Sequence, residues 1–99
     1  MAISPKQAQK LTPAQLNVVE KLESIVDGRL LQNYTGQGAV KQLISYSEFA
    51  PIPLQETALA LLSLKVRQEF SERYAGTGWK NPRYFINQEG LFVEVLMNR

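Results

Sequence analysis

The chain contains no cysteine and no histidine, and each absence removes a class of chemistry. Without cysteine there is no disulfide and no thiolate nucleophile, and without histidine there is no imidazole base. Together the two absences exclude nearly every kind of zinc site. We therefore expect a protein that is not an enzyme, with no catalytic residues, no metal and no cofactor.

Long apolar runs are lacking as well. No stretch approaches the roughly 20 apolar residues that a transmembrane helix needs. The first ten residues, MAISPKQAQK, contain no apolar core of the signal-peptide type. We predict a cytoplasmic protein without membrane spans, and the lack of cysteine fits that compartment.

The charge balance is nearly even, with 11 Lys and Arg against 9 Asp and Glu. The net charge of +2 is too small to identify a nucleic-acid binder, although the isoelectric point of about 9.0 is compatible with one. A chain of 99 residues with 44% apolar residues is typical of one globular domain. We predict a loosely ordered segment over residues 1–10 and a single domain over residues 11–99.

The longest helical pattern covers residues 54–74. Its first half, from Leu54 to Leu64, is apolar almost all the way round, which is typical of a buried helix. Its second half keeps a single apolar stripe of Val66, Phe70 and Tyr74, spaced by four residues. We predict one continuous central helix whose early turns are enclosed and whose late turns reach the surface.

Two other helices are predicted before it. Thr12, Pro13 and Gln15 form a strong helix start, with a hydroxyl at N-cap, proline at N1 and glutamine at N3. This first helix should end near Gly28, because glycine takes the left-handed cap conformation cheaply. A short second helix is predicted over residues 39–46.

The pattern after residue 78 has a period of two and indicates a β-hairpin. Two runs rich in aromatic and β-branched residues, 83–87 and 91–97, flank a turn at residues 87–90. On the second strand, one face should hold Leu91, Val93, Val95 and Met97, and the other Phe92, Glu94 and Leu96. An isolated hairpin is barely stable, so one face must pack on the helices.

These elements predict an α+β fold with three main helices and a C-terminal antiparallel β-hairpin. Helix, optional strand, helix, turn, helix and hairpin is the element order of a winged-helix domain. In this interpretation residues 39–75 form the helix-turn-helix and the hairpin forms the wing.

The winged-helix order suggests a nucleic-acid-binding regulator of transcription. Two details argue against it: the early part of the central helix is apolar where base edges would be read, and the predicted wing tip carries Glu89. If DNA or RNA is bound, we expect the contacts from five cations: Lys65, Arg67, Arg73, Lys80 and Arg83.

The alternative is a protein-interaction module, such as an adaptor or inhibitor. It would dock through the outward face of the hairpin with Tyr84, Phe92 and Leu96, because both faces of the second strand carry apolar residues. Homodimerisation would satisfy the same surface. Trp79 could anchor a partner, or it could fold back and seal the end of the central helix.

The acidic residues do not indicate a site. Glu20, Glu23 and Asp27 share one side of the first helix, and Glu69 and Glu72 lie three residues apart on the central one. Without a base or a further ligand, both groups are typical of solvated faces. No small-molecule substrate is predicted.

Overall fold

Three helices and one antiparallel sheet make up the part of the chain that the structure describes. The computed structural model describes residues 10–33, 36, 38–87 and 92–98. The helices are α1 (Pro13–Asn33), α2 (Leu54–Leu62) and α3 (Leu64–Ala75), with a 3-10 helix at Tyr46–Phe49. The strands are β1 (Ala39–Ser45), β2 (Lys80–Ile86) and β3 (Phe92–Asn98), in the sheet order β1-β3-β2.

This architecture confirms the predicted α+β class and the C-terminal antiparallel hairpin. The order helix, strand, two helices, hairpin is compatible with the winged-helix order, which stays a prediction. The loose order predicted for residues 1–10 and the turn predicted at residues 87–90 fall almost entirely outside the described residues.

Helix α1 begins as predicted and ends later than predicted. The Thr12 hydroxyl accepts from the Gln15 N–H at 3.2 Å, and the Gln15 amide oxygen accepts from the Thr12 N–H at 3.0 Å. The helix continues through Gly28 to Asn33, so the predicted end at Gly28 is wrong. Glycine costs about 1 kcal/mol inside a helix. Arg29, the next residue, donates to the Leu43 carbonyl of β1 and to Glu48, and these contacts oppose that cost.

The segment predicted as a second helix is strand β1. Along it Gln42 and Ile44 are buried while Lys41 and Leu43 are exposed, which is a period of two. The strand pairs antiparallel with β3 in full register, from Ala39 opposite Asn98 to Ser45 opposite Phe92. Such a short apolar run fits the period of a helix as well as that of a strand, and the pairing with β3 makes this segment a strand.

The predicted continuous central helix is broken at Ser63. That residue is extended, with φ −71° and ψ 134°, and separates α2 from α3. No side-chain capping bond marks the start of α3, so the sequence carries only a weak signal for the break.

The prediction that the leucines of α2 are enclosed is also wrong. The buried residues of this helix are Thr57, Ala60 and Leu61, whereas Leu54, Leu59 and Leu62 are 57%, 66% and 61% exposed. Helix α1, the 3-10 helix and α3 pack on α2 and leave this leucine-bearing side open. An all-round apolar pattern therefore does not mean burial here.

The core lies between the helices and the inner face of the sheet. It includes the predicted stripe of α3, and its fully or almost fully buried side chains include Val18, Leu22, Leu61, Val66, Phe70, Val93, Val95 and Met97. The rings of Phe70 and Tyr84 meet edge to face with centroids 5.5 Å apart, which fastens β2 onto α3.

Two neighbouring leucines of α2 provide a test of this packing. We expect Leu61→Ala to lower the free energy of unfolding by about 2–5 kcal/mol, because it opens a cavity in the core. Leu62→Ala removes a side chain that is 61% exposed, and we expect it to cost less than about 1 kcal/mol. Urea unfolding followed by circular dichroism measures both values, and similar costs for the two variants would contradict the placement of α2.

Candidate functional site

Three of the five cations predicted to bind nucleic acid are engaged within the molecule. Arg67 donates to the Tyr84 carbonyl at 3.0 Å, and its guanidinium lies 4.8 Å from the centre of the Tyr84 ring. Arg83 donates to the Asn81 carbonyl at 2.9 Å. Lys65 and Lys80 are exposed, and within the described residues neither forms an ion pair.

Arg73, the third engaged cation, is held between two acids. It donates to Glu69 at 2.8 Å and to Glu23 of α1 at 3.0 Å. The hydrogen bond to Glu69, followed by that to Glu23, raises the pKa of the Arg73 guanidinium, although burial opposes the shift. A phosphate would have to displace both carboxylates to reach this side chain.

Tyr74 links the same cluster to the core. Its hydroxyl donates to the Asp27 carboxylate at 2.7 Å, and the Glu23 carbonyl lies 3.1 Å away. Burial, and next the hydrogen bond to Asp27, raise the pKa of the Tyr74 hydroxyl well above its ordinary value. Glu23 and Asp27, for which the sequence pattern predicts a solvated face, therefore help to hold α1 against α3.

The four residues predicted to contact a protein partner fall in different places. Tyr84 is 2% exposed and donates its hydroxyl to the Leu61 carbonyl at 2.6 Å, so its predicted position on the outward face is wrong. Burial raises the pKa of this hydroxyl, although Arg67 opposes the shift. Trp79 is half-buried against the core, which favours the sealing role over a free anchor. Phe92 and Leu96 do lie on the outward face, partly exposed.

The outward side of the sheet forms a continuous surface across all three strands. We call Leu43, Phe85, Phe92, Glu94 and Leu96 the outer sheet face. Leu43 and Phe85 are opposite Glu94 in the register of β1 and β2, and Phe92 and Leu96 are two residues from it along β3. Leu43 is 56% and Phe85 49% exposed. Four apolar side chains therefore surround one carboxylate, which pairs with Lys41 at 3.1 Å.

Sequence reasoning missed Leu43 and Phe85. The sequence pattern predicts a helix at Leu43, and it gives Phe85 no surface role. A strand points alternate residues to opposite faces, so Phe85 points outward because Tyr84 is buried, and only the packing of β2 on α3 decides which of the two lies inside.

Both edges of the sheet are partly blocked by side chains from the helices. Arg29 donates to the Leu43 carbonyl on β1 and to both carboxylate oxygens of Glu48. On β2, Arg67 donates to the Tyr84 carbonyl, and Ser71 donates to the Pro82 carbonyl at 2.8 Å. Proline on an edge strand has no N–H to offer a new strand. The hairpin is thus closed to strand addition over these residues.

In the part of the chain that the structure describes, no group of three or more acidic, histidine or cysteine side chains could hold a metal ion. None of the described helices has the length and apolar character to cross a bilayer.

The chain matches no protein-family model, no curated protein and no solved structure. The outer sheet face and the cations are therefore the features that bear on its function.

The buried hydroxyls predict how stability changes at alkaline pH. Tyr46, Tyr74 and Tyr84 all have a pKa raised above the ordinary value of 10.0, so the folded state keeps protons that the unfolded chain loses. Their contribution to stability is complete below pH 10 and is lost progressively above it. We expect Tyr74→Phe to reduce the downward slope by up to about 1.4 kcal/mol per pH unit.

The measurement is urea unfolding at several pH values between neutral and strongly alkaline, followed by Trp79 fluorescence. Comparing the variant with the unaltered chain removes the shared contribution of the lysines. An identical slope for Tyr74→Phe would mean that Tyr74 ionises inside the fold, against the burial described above.

Proposed function

We propose that the protein is a non-enzymatic binding module that docks a protein partner on its outer sheet face. The observation that supports it is the exposure of Leu43 and Phe85 on either side of β3. A patch of aromatic and aliphatic side chains on a solvated sheet surface is typical of a protein contact. The proposed place of action is the cytoplasm, as the sequence predicts.

The chemistry of the face suits an interface. Phenylalanine and leucine supply apolar contact area, the central carboxylate of Glu94 is already paired with Lys41, and Arg83, opposite Leu96 in the register, supplies a further polar group. Because the side chains stand on a paired three-stranded sheet, little conformational entropy is lost when a partner covers them.

The mode of docking follows from the blocked edges. A partner that added a strand would have to displace Arg29 from the Leu43 carbonyl, or Arg67 and Ser71 from the carbonyls of β2. Docking on the face requires none of these losses. We therefore propose face-on contact through side chains, not strand addition of the kind that open sheet edges allow.

Site-specific photocrosslinking tests this proposal. In cells that make the protein, Phe85 is replaced by p-benzoylphenylalanine, whose extra benzoyl group has room because Phe85 is 49% exposed. We expect one discrete product, heavier than the 11.2 kDa chain, that is sensitive to protease and resistant to nuclease. A second change, Leu96→Glu, places a charge on the same face and should abolish the product.

The control places the photoreactive residue at Glu20, an exposed position on α1. Equal crosslinking from positions 20 and 85 would contradict a docking site on the sheet. Phe85→Ser should change the free energy of unfolding by less than about 1 kcal/mol, which shows that any loss of binding is not a loss of folding.

Nucleic-acid binding is the second proposal, supported by the element order and by the two exposed lysines, Lys65 and Lys80. It requires cations that are free to meet phosphates, and Arg67, Arg73 and Arg83 already have partners. The proposal therefore depends chiefly on the two lysines.

A duplex titration tests the second proposal. On this proposal, affinity measured by fluorescence anisotropy falls steeply between about 50 and 200 mM salt, because bound phosphates release counterions. The double variant Lys65→Ala, Lys80→Ala should lower the salt slope by up to about two, whereas Lys21→Ala on α1 should leave it unchanged. Absence of binding at the lowest salt would end this proposal.

A further inference from the structure

Helix α2 exposes a row of leucines that the docking proposal does not use. Leu54, Leu59 and Leu62 are 57%, 66% and 61% exposed, and Leu64, just past the break, is 74% exposed. We call these four residues the leucine stripe. Leu59 and Leu62 are three residues apart on one side of α2, and Leu54, eight residues before Leu62, lies about 80° from it around the helix. Single exposed leucines need no explanation, but a continuous stripe marks a contact surface.

The charges on either side of Leu59 and Leu62 are opposite. Glu56 is the single charged residue of α2, LQETALALL, and lies in its first turn; Lys65 follows the break in the first turn of α3. Both side chains are exposed, and neither forms an ion pair within the described residues. An unpaired acid therefore lies three residues before Leu59, and an unpaired base lies three residues after Leu62.

This arrangement is complementary to itself. If two α2 helices lie antiparallel about a two-fold axis beside residues 60 and 61, Leu59 of one copy faces Leu62 of the other. The same alignment brings Glu56 of one copy opposite Lys65 of the other. In a two-fold contact each pairing occurs twice, so two contacts between Leu59 and Leu62 and two ion pairs form together.

We propose that a second copy of this chain covers the leucine stripe, in an antiparallel two-fold contact of α2 with α2. The dimer is weak and depends on concentration. Four leucines per copy supply less than the roughly 800 Å² per partner of a standard interface, and smaller interfaces belong to transient complexes. The monomer keeps its own complete core, with Leu61 fully buried. Dimerisation is independent of the outer sheet face and would present two such faces at once.

Analytical ultracentrifugation over a wide range of protein concentration tests the dimer. We expect the mean mass to rise from 11.2 kDa toward twice that value. Leu62→Glu should weaken dimerisation by about thirtyfold, equivalent to about 2 kcal/mol. The matched control is Leu31→Glu on α1, which changes a leucine that is 89% exposed but lies outside the stripe. A monomer at every concentration, or equal weakening by the control, would overturn the proposal.

A charge exchange tests the antiparallel alignment. Glu56→Lys and Lys65→Glu should each weaken dimerisation, because each places like charges opposite one another. The double variant restores opposite charges and should restore the dimer. Because all these side chains are exposed, circular dichroism should show the same fold throughout. Failure of the double variant to recover would rule out the proposed alignment.

The absence of cysteine allows a third measurement, since introduced thiols have no competitors. Under mild oxidation, an equimolar mixture of the Leu59→Cys and Leu62→Cys chains should form the mixed disulfide faster than either chain pairs with itself. This order of rates supports antiparallel pairing, because residue 59 then faces residue 62. Faster self-pairing of each variant would indicate parallel helices and overturn the proposal.

Discussion

The structure depends on the way Tyr84 joins three elements. Its ring lies 4.8 Å from the guanidinium of Arg67 and 5.5 Å from the ring of Phe70, and its hydroxyl donates to the Leu61 carbonyl at 2.6 Å. In an unbroken helix that carbonyl would accept from the Lys65 N–H, four residues on. The break at Ser63 frees the carbonyl, and Tyr84 satisfies it. The break in the helix and the docking of the hairpin are therefore parts of one arrangement.

The same contacts decide which surfaces remain for binding. Arg67 supports Tyr84 and occupies a carbonyl at the edge of β2, so it serves the fold before any ligand. Arg29 has a similar place at the edge of β1, and Arg73 joins α1 to α3. Within the described residues, the outer sheet face and the leucine stripe each bring several exposed apolar side chains together. Both are suited to proteins more than to phosphates.

The first helix, the apolar stripe of α3 and the hairpin could be predicted because their signals are local. The capping residues at the start of α1, the four-residue spacing of the α3 stripe and the alternation along the strands each involve residues that are close together in the chain. The candidate surface was predicted only in part. Phe92 and Leu96 were assigned to the correct face, but Tyr84 was assigned to the wrong one and Phe85 was not recognised. Whether Tyr84 or Phe85 lies on the outward face depends on which side of β2 packs against α3.

By itself the sequence determined the α+β class, the start of α1, the face of β3 that enters the core and the absence of thiol and imidazole chemistry. Tertiary structure alone decided that residues 39–45 form a strand, because β3 offers them a partner. It also decided that the central helix divides at Ser63 and that its leucines face outward. The reason is that an apolar pattern records which side chains could be buried, whereas burial requires another element to lie against them.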